Sequence, residues 1–307
     1  MEDKIKSVLK NDRYKCLRPE ELSDFDNSDL SFRDLNNTSL GFNTGTVEKT
    51  IDFFFQKFNL SNKEQFTKKF IESISGDGNE LSKNNALHSS SLCALLFFYN
   101  IKNKPIEYNG VKYDDAFFEV KNKVIRNPSN MDVVLTGKDK NGKESILFIE
   151  CKFSEFLGTR SYKLGEGYKK EPYKHIFDEF NYEKQSVFQY GLKQLVAHYI
   201  GICNFIEDNP KYKKEMSKYY KEGDDRIGLY RKFDNVSFIE VVYEFKESND
   251  YQTYLNETKL VFDALEKENI KTNTKINLLG TTTYQVFFKD NLECVDDKVL
   301  KFYNIIK

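Results

Sequence analysis

Apolar side chains recur every three or four positions between about 46 and 75, with a polar break at Asn59–Asn62. This spacing is typical of two amphipathic helices. After a turn at 76–79, a mostly apolar run predicts a buried helix over about 84–101. Residues 1–45 are rich in Asn, Asp and Ser and show little periodicity. We therefore expect a loop-rich segment there.

After Pro105 the pattern changes to short apolar runs that are typical of strands. Three strands are predicted near 117–121, 131–137 and 145–153, and Asn141-Gly142 is a hairpin signal between the last two. A long helix is predicted over about 183–204. The remaining elements are a strand at 236–245, a helix at 251–267 and strands at 276–279 and 283–288.

This order of elements predicts an α/β fold, with a central mixed β-sheet flanked by α-helices. Hydrophobic residues make up 39% of the 307 positions and aromatic residues 15%, which is enough for a large core and argues against disorder. No repeat or low-complexity linker interrupts the chain. We therefore expect a single domain over 46–307.

The charge balance limits how an anionic partner could be bound. The chain has 47 basic and 48 acidic residues, so a nucleic acid would have to be attracted by a local basic surface or by a bound cation. The five cysteines are scattered without a CxxC pair, which argues against a zinc site or a disulfide framework. The N-terminus is charged and no apolar run approaches about 18 residues. We therefore expect a cytoplasmic protein without a membrane partner.

Two charged residues stand out in the predicted strand near 145–153. That strand is apolar on both faces except for Glu150 and Lys152, which strand alternation places on the same face. Burying a carboxylate and an ammonium among Phe and Ile is costly unless the two are paired or used. A structural salt bridge is the simplest explanation, because a Glu-x-Lys sequence occurs by chance in most lysine-rich proteins.

The hairpin adds a second carboxylate to this pair. Asp132 and Glu150 are both nine residues from Asn141, so an antiparallel pairing centred on the turn brings them opposite each other. Neighbouring side chains in such a pair are about 5 Å apart, and two carboxylates at that separation repel. A shared Mg²⁺ ion would remove the repulsion. Lys152 could then orient or deprotonate a water on the metal and stabilise developing charge.

Asp132, Glu150 and Lys152 on a hairpin resemble the active centre of the PD-(D/E)xK nuclease superfamily, whose members have a restriction-endonuclease-like core. Short segments over about 70–205 also resemble, in order, a family of bacterial restriction endonucleases. These segments are Gly76-Asp-Gly-Asn-Glu80-Leu, His88-Ser-Ser-Ser-Leu-Cys, Phe118-Glu-Val-Lys-Asn, Asn130-Met-Asp132, Ile149-Glu-Cys-Lys-Phe-Ser-Glu155-Phe and Gln194-Leu-Val-Ala-His198. The chain departs from the superfamily where Asn130-Met-Asp132 replaces the common Pro-Asp, and the last hundred residues match only loosely.

The resemblance implies roles for individual residues, within a catalytic core of about 76–205. Asp132, Glu150 and the backbone carbonyl of Cys151 would ligate Mg²⁺, for which Mn²⁺ could substitute. Lys152 would act on the attacking water. Glu80 would hold the metal through water or bind a second ion, although an acid at a helix N-terminus is also favoured by the helix dipole.

The helix after the Glu-x-Lys strand supplies further candidates. Gln194 would contact phosphate or the attacking water, with an ordinary polar helix face as the alternative. For His198 we favour that alternative. Glu119 and Glu155 are weaker candidates, as partners of Lys152.

The segment 154–180 is a long stretch without clear periodicity, and loops of this length are often functional. Basic side chains alternate there with tyrosines, a combination that suits a nucleic-acid backbone and unstacked bases. The candidate nucleic-acid-binding residues are Arg160, Lys163, Lys169 and Lys170. Acidic residues are also present, so a solvated surface is the alternative.

The sequence therefore predicts a Mg²⁺-dependent endonuclease that hydrolyses phosphodiester bonds, in DNA rather than RNA. A homodimer would allow both strands of a duplex to be cut. The alternative is a catalytically inactive nucleic-acid-binding protein of the same fold. Another hydrolase class is disfavoured, because the chain has no phosphate-binding loop, no GxGxxG, no nucleophile-elbow motif and only three histidines.

Overall fold

A computed structural model describes residues 44–75, 89–125, 127–158, 160–185, 187–207 and 210–306. The predicted N-terminal loop, the turn at 76–79 and Glu80 lie outside these ranges. The first described helices are α1 (Thr44–Lys57), α2 (Lys63–Ser73) and α3 (Ser90–Phe98). The side chain of Asn62 caps α2 by accepting a hydrogen bond from the Gln65 backbone N–H. The predicted break between two helices is therefore confirmed.

The sheet has six strands in sequential order, namely β1 (Ile106–Tyr108), β2 (Val111–Lys123), β3 (Pro128–Asp139), β4 (Glu144–Lys152), β5 (Asn235–Val242) and β6 (Ile276–Thr283). Strands β1 to β4 pair antiparallel, whereas β5 is parallel to both β4 and β6. The predicted α/β fold with a mixed sheet flanked by helices is confirmed.

The remaining helices are α4 (Lys174–Glu179), α5 (Gln189–Ile206), α6 (Pro210–Ser217), α7 (Asn249–Lys271), α8 (Tyr284–Phe287) and α9 (Asp297–Phe302). Both faces of β4 are covered. Phe148 packs against Phe205 of α5 on one face, and the thiol of Cys151 lies near Cys93 of α3 on the other. No helix of the described ranges is both long and apolar enough to cross a bilayer.

Some elements differ from their prediction. The helix predicted from 183 begins at Gln189, because residues 182–184 form a separate 3-10 turn. The strand predicted at 283–288 is wrong. Helix α8 occupies that position, and the Thr283 hydroxyl caps it by accepting a hydrogen bond from the Val286 N–H at 3.2 Å. Helix α6 was missed, because only Tyr212 and Met216 of its largely charged sequence are buried.

The β3–β4 hairpin has the predicted register. Its pairs run from Lys138–Glu144 to Val133–Ile149, symmetrically about Asn141. Gly142 has φ +76°, and its N–H donates to the Asp139 carbonyl at 2.9 Å. A positive φ costs glycine little, so Gly142 suits the tight end of the hairpin.

The sheet opens just beyond this hairpin. Pairing between β3 and β4 ends at Val133–Ile149, one position before Asp132 and Glu150. Strand β3 continues along β2 as far as Pro128, whereas β4 continues along β5 as far as Lys152. The two strands therefore diverge at the candidate residues, and helix α5 packs against strands on both sides of the opening.

Candidate functional site

Four acidic residues, one from each of four neighbouring strands, lie at the same level of the sheet. They are Glu119, Asp132, Glu150 and Glu240, which we call the carboxylate row. Glu150 pairs directly with Glu240. Glu119 lies opposite Asp132, because Phe118 and Val120 pair with the residues on either side of that aspartate. Asp132 and Glu150 are next in the hairpin register after its last pair. The sheet thus concentrates acids at the point where it opens.

Glu150 is held from two directions. Its Oε1 accepts a hydrogen bond from the Lys152 ammonium, and its Oε2 is 2.8 Å from His198 Nε2, within ion-pairing distance but without hydrogen-bond alignment. All three side chains are buried. Burial favours the neutral acid, but Lys152 and His198 outweigh it and lower the pKa of Glu150 to about 2. Glu150 is therefore a carboxylate at neutral pH.

Asp132 is in a different electrostatic state. Its Oδ2 accepts a hydrogen bond of 2.7 Å from the Cys151 N–H. The Asp132 side chain lines a cavity but is otherwise surrounded by protein. Burial and repulsion from Glu150 raise the pKa of Asp132 well above its usual range. Asp132 therefore resists ionisation unless a cation joins it.

Lys152 connects the row to helix α5. Besides Glu150, its ammonium donates to Oε1 of Gln194 at 3.2 Å. Burial favours the neutral amine, but Glu150 and Asp132 outweigh it and raise the pKa of Lys152 above its usual range. Lys152 is therefore a hydrogen-bond donor and a fixed positive charge, and it is poorly suited to accept a proton from water.

The backbone at Glu119 is strained, and the residue before it is held by two side chains. Glu119 has φ +51°, which is uncommon for a residue with a Cβ atom. Two groups hold the backbone of the preceding residue: the Phe118 N–H donates to Oε2 of Glu72 at 3.3 Å, and the Phe118 carbonyl accepts from Nη1 of Arg226 at 3.0 Å. These contacts maintain a local distortion of β2 that the sequence did not indicate.

Asp132, Lys152 and Gln194 line one cavity of about 750 Å³, together with Glu119 and Glu155. Oε2 of Glu155 accepts hydrogen bonds from the backbone N–H groups of Phe153 and Ser154, at 2.8 and 3.0 Å. The cavity thus brings together Asp132 of β3, Lys152 of β4 and Gln194 of helix α5. Its size lies in the range of sites for small organic ligands.

The predicted basic residues separate into two groups. Arg160 lines the cavity. Lys163 and Lys170 are exposed outside it, and Lys169 pairs with Glu166 at 3.1 Å.

Sequence reasoning underestimated two residues of helix α5. His198, for which we favoured an ordinary polar face, is only 2% exposed and contacts Glu150. Lys193, which we did not consider, lines the cavity. The four-residue spacing of Tyr190, Gln194 and His198 was the available signal, because it places all three on one side of the helix.

The donor set suits a hard divalent cation. Mg²⁺ in proteins is commonly held by one or two carboxylates and completed by water and substrate oxygens. Asp132 and Glu150 could supply two such carboxylates; burial and repulsion from Glu150 raise the pKa of Asp132, and Lys152 opposes that rise. In the part of the chain that the structure describes, no three His, Cys, Asp or Glu side chains converge on one point.

Compared with models of known protein families, with curated proteins and with solved structures, the chain matches none.

Proposed function

We propose that this protein is a metal-dependent endonuclease with a restriction-endonuclease-like core, which hydrolyses phosphodiester bonds of nucleic acid, DNA in preference to RNA. One observation carries the proposal. Asp132 and Glu150 directly follow the last pair of the β3–β4 hairpin, where the two strands diverge, and the Lys152 ammonium that binds Glu150 lines the same cavity as Asp132. The preference for DNA rests on the sequence resemblance described above.

Each residue has a role consistent with its surroundings. A divalent cation, when bound, would supply Lewis-acid stabilisation of charge on the phosphate. Asp132 and Glu150 would hold it, with the Cys151 carbonyl as a further ligand. The Lys152 ammonium would donate a hydrogen bond to charge that develops in the transition state. Gln194 keeps that ammonium in place through its 3.2 Å contact, and Glu119 and Glu155 are candidate proton acceptors in the cavity.

The direct test incubates the full chain with plasmid, linear duplex, single-stranded DNA and RNA, in Mg²⁺, in Mn²⁺ and in EDTA. We expect cleavage that needs the cation and that falls about 10²- to 10³-fold or more in Asp132→Asn and Lys152→Met. Asp114→Asn and Lys138→Met are matched controls, because both residues are exposed on neighbouring strands. If the chain binds nucleic acid but cuts none under any of these conditions, the alternative holds, namely a catalytically inactive nucleic-acid-binding protein of the same fold.

A further inference from the structure

Three tyrosine rings surround the ammonium of Lys193. Its Nζ is 5.3 Å from the ring centre of Tyr162, 5.2 Å from that of Tyr168 and 5.6 Å from that of Tyr190. These distances are typical of cation–π contacts. Burial lowers the pKa of Lys193. The ammonium is thus held by ring faces in a partly dehydrated position.

Arg160 joins the same aromatic group. Its guanidinium carbon is 5.1 Å from the ring centre of Tyr190. Within the described ranges, neither Arg160 nor Lys193 has a carboxylate within ion-pairing distance, and the Glu166 carboxylate at the cavity wall pairs with Lys169. Two cations therefore contact the ring of Tyr190, and neutral rings rather than carboxylates hold them, which leaves their charge available to an anion.

This pair of cations lies beside the candidate reaction centre. Arg160 and Lys193 line the cavity that contains Asp132 and Lys152. Lys193 precedes Gln194, whose side chain contacts the Lys152 ammonium. The Tyr190 hydroxyl is within electrostatic reach of both Lys152 and Arg160. Glu119 and Asp132 of the carboxylate row therefore line the same cavity as the two cations.

We propose that Arg160 and Lys193 form a phosphate subsite, which holds a backbone phosphate of a single nucleic-acid strand adjacent to the bond that is cut. The subsite rests on the proposed nuclease function. A phosphate is the anion of a strand that can reach two neighbouring cations at once. The cavity volume of about 750 Å³ suits one or two nucleotides of a strand. Lys163 and Lys170, which are exposed outside the cavity, are not part of the subsite.

The test measures binding without cleavage. Fluorescence anisotropy of a labelled single-stranded oligonucleotide is followed in EDTA, at several salt concentrations, with the full chain. Lys193→Met keeps the aliphatic stem inside the ring cluster, and Arg160→Gln changes a residue that is exposed. We expect each to weaken binding about tenfold and to lower the slope of log affinity against log salt by about 0.7. Lys138→Gln and Lys140→Gln are controls that remove the same charge from exposed positions at the tip of the β3–β4 hairpin.

The outcomes separate this subsite from the nuclease proposal. Equal losses in the subsite variants and in the controls would overturn the subsite, even if the wild type cuts DNA. A selective loss in Arg160→Gln and Lys193→Met would support the subsite, even if no substrate is cut. A third outcome is that a duplex of the same sequence binds as tightly as the single strand and loses as much affinity in Arg160→Gln and Lys193→Met. That result would overturn the choice of a single strand.

Discussion

His198 Nε2 lies 2.8 Å from Oε2 of Glu150, and both side chains are buried between helix α5 and strand β4. The other oxygen of Glu150 accepts the Lys152 hydrogen bond. Gln194, one turn before His198, contacts the same ammonium. Helix α5 therefore fixes both charged residues of the Glu-x-Lys sequence, and the stability of the fold depends on the same contacts as the proposed chemistry.

The first prediction concerns Lys152→Met. Removing the ammonium leaves the buried Glu150 carboxylate with His198 alone, so we expect a loss of unfolding free energy of roughly 3–5 kcal/mol in urea titrations. The double variant Glu150→Gln with Lys152→Met should recover most of that loss, because it removes both charges. The exposed Lys138→Met is the control, for which changes within about 0.5 kcal/mol are expected. If Lys152→Met alone were as stable as Lys138→Met, the buried Glu150 carboxylate would not need Lys152 as its partner.

The second prediction concerns Asp132→Asn and magnesium. The pKa of Asp132 is raised by burial and by Glu150, so its ionisation opposes folding and the fold loses stability as pH rises through that pKa. Without a divalent cation, Asp132→Asn should be at least as stable as the wild type at pH 8. Added Mg²⁺ should raise the Tm of the wild type and of the exposed Asp114→Asn control, but not that of Asp132→Asn. A Mg²⁺ effect that survives in Asp132→Asn would exclude Asp132 as a ligand.

The hairpin could be predicted from the sequence because its information is local. Asn141-Gly142 fixes the turn, and strand alternation then fixes which residues face Glu150. The contacts of His198 and Glu240 could not be predicted in this way. They depend on how helix α5 and strand β5 dock after long connections, and a helical periodicity does not show which polar side chain becomes buried. The strain at Glu119 likewise depends on Arg226, more than a hundred positions away in the chain.

Local signals predict the wrong element at the end of the sheet. Thr283 and the apolar residues after it have high strand propensity, and they predicted a strand. The threonine hydroxyl instead caps helix α8, whose Tyr284 and Phe287 are buried. Tertiary packing therefore overrode propensity at that position.

The third prediction concerns the approach of helix α5 to the sheet. A Cβ atom at Gly201 would be 2.9 Å from Cβ of Asn122 and 3.4 Å from Oγ of Ser129, so Gly201→Ala must push α5 away from β2. We expect a loss of about 1–3 kcal/mol in unfolding free energy. Cleavage should fall as well at temperatures where the variant is folded, because Gln194 and His198 move with the helix.

Gly228→Ala is the matched control for this variant. A Cβ atom at Gly228 meets nothing within 4 Å, and its backbone is not in the positive-φ region. This control should be neutral or slightly more stable than the wild type. Equal behaviour of the two alanine variants would show that α5 does not need its close approach to β2.

The last prediction concerns Glu240, the fully buried member of the carboxylate row. Its Oε1 accepts a hydrogen bond from the Tyr254 hydroxyl at 2.7 Å, and its Oε2 is 3.0 Å from the Thr281 hydroxyl. Burial raises the pKa of Glu240 to about 7, with nearby Glu150 adding to the rise and Tyr254, Lys152 and Thr281 opposing it. Glu240 is thus neutral in the folded protein at mildly acidic pH.

Between about pH 4.5 and pH 7 the folded protein keeps the Glu240 proton that the unfolded chain releases, so the folded state loses stability as pH rises through this window. The difference of about 2.5 pH units corresponds to roughly 3 kcal/mol, all of it lost above pH 7. Glu240→Gln can keep both contacts, since its amide can donate to Thr281. We therefore expect this variant to be more stable than the wild type at pH 8, with a gain that disappears towards pH 4.5, as measured by urea titrations across the range. The exposed Glu266→Gln should show no such trend. A gain that is independent of pH, or that grows on acidification, would mean that Glu240 is ionised in the folded protein.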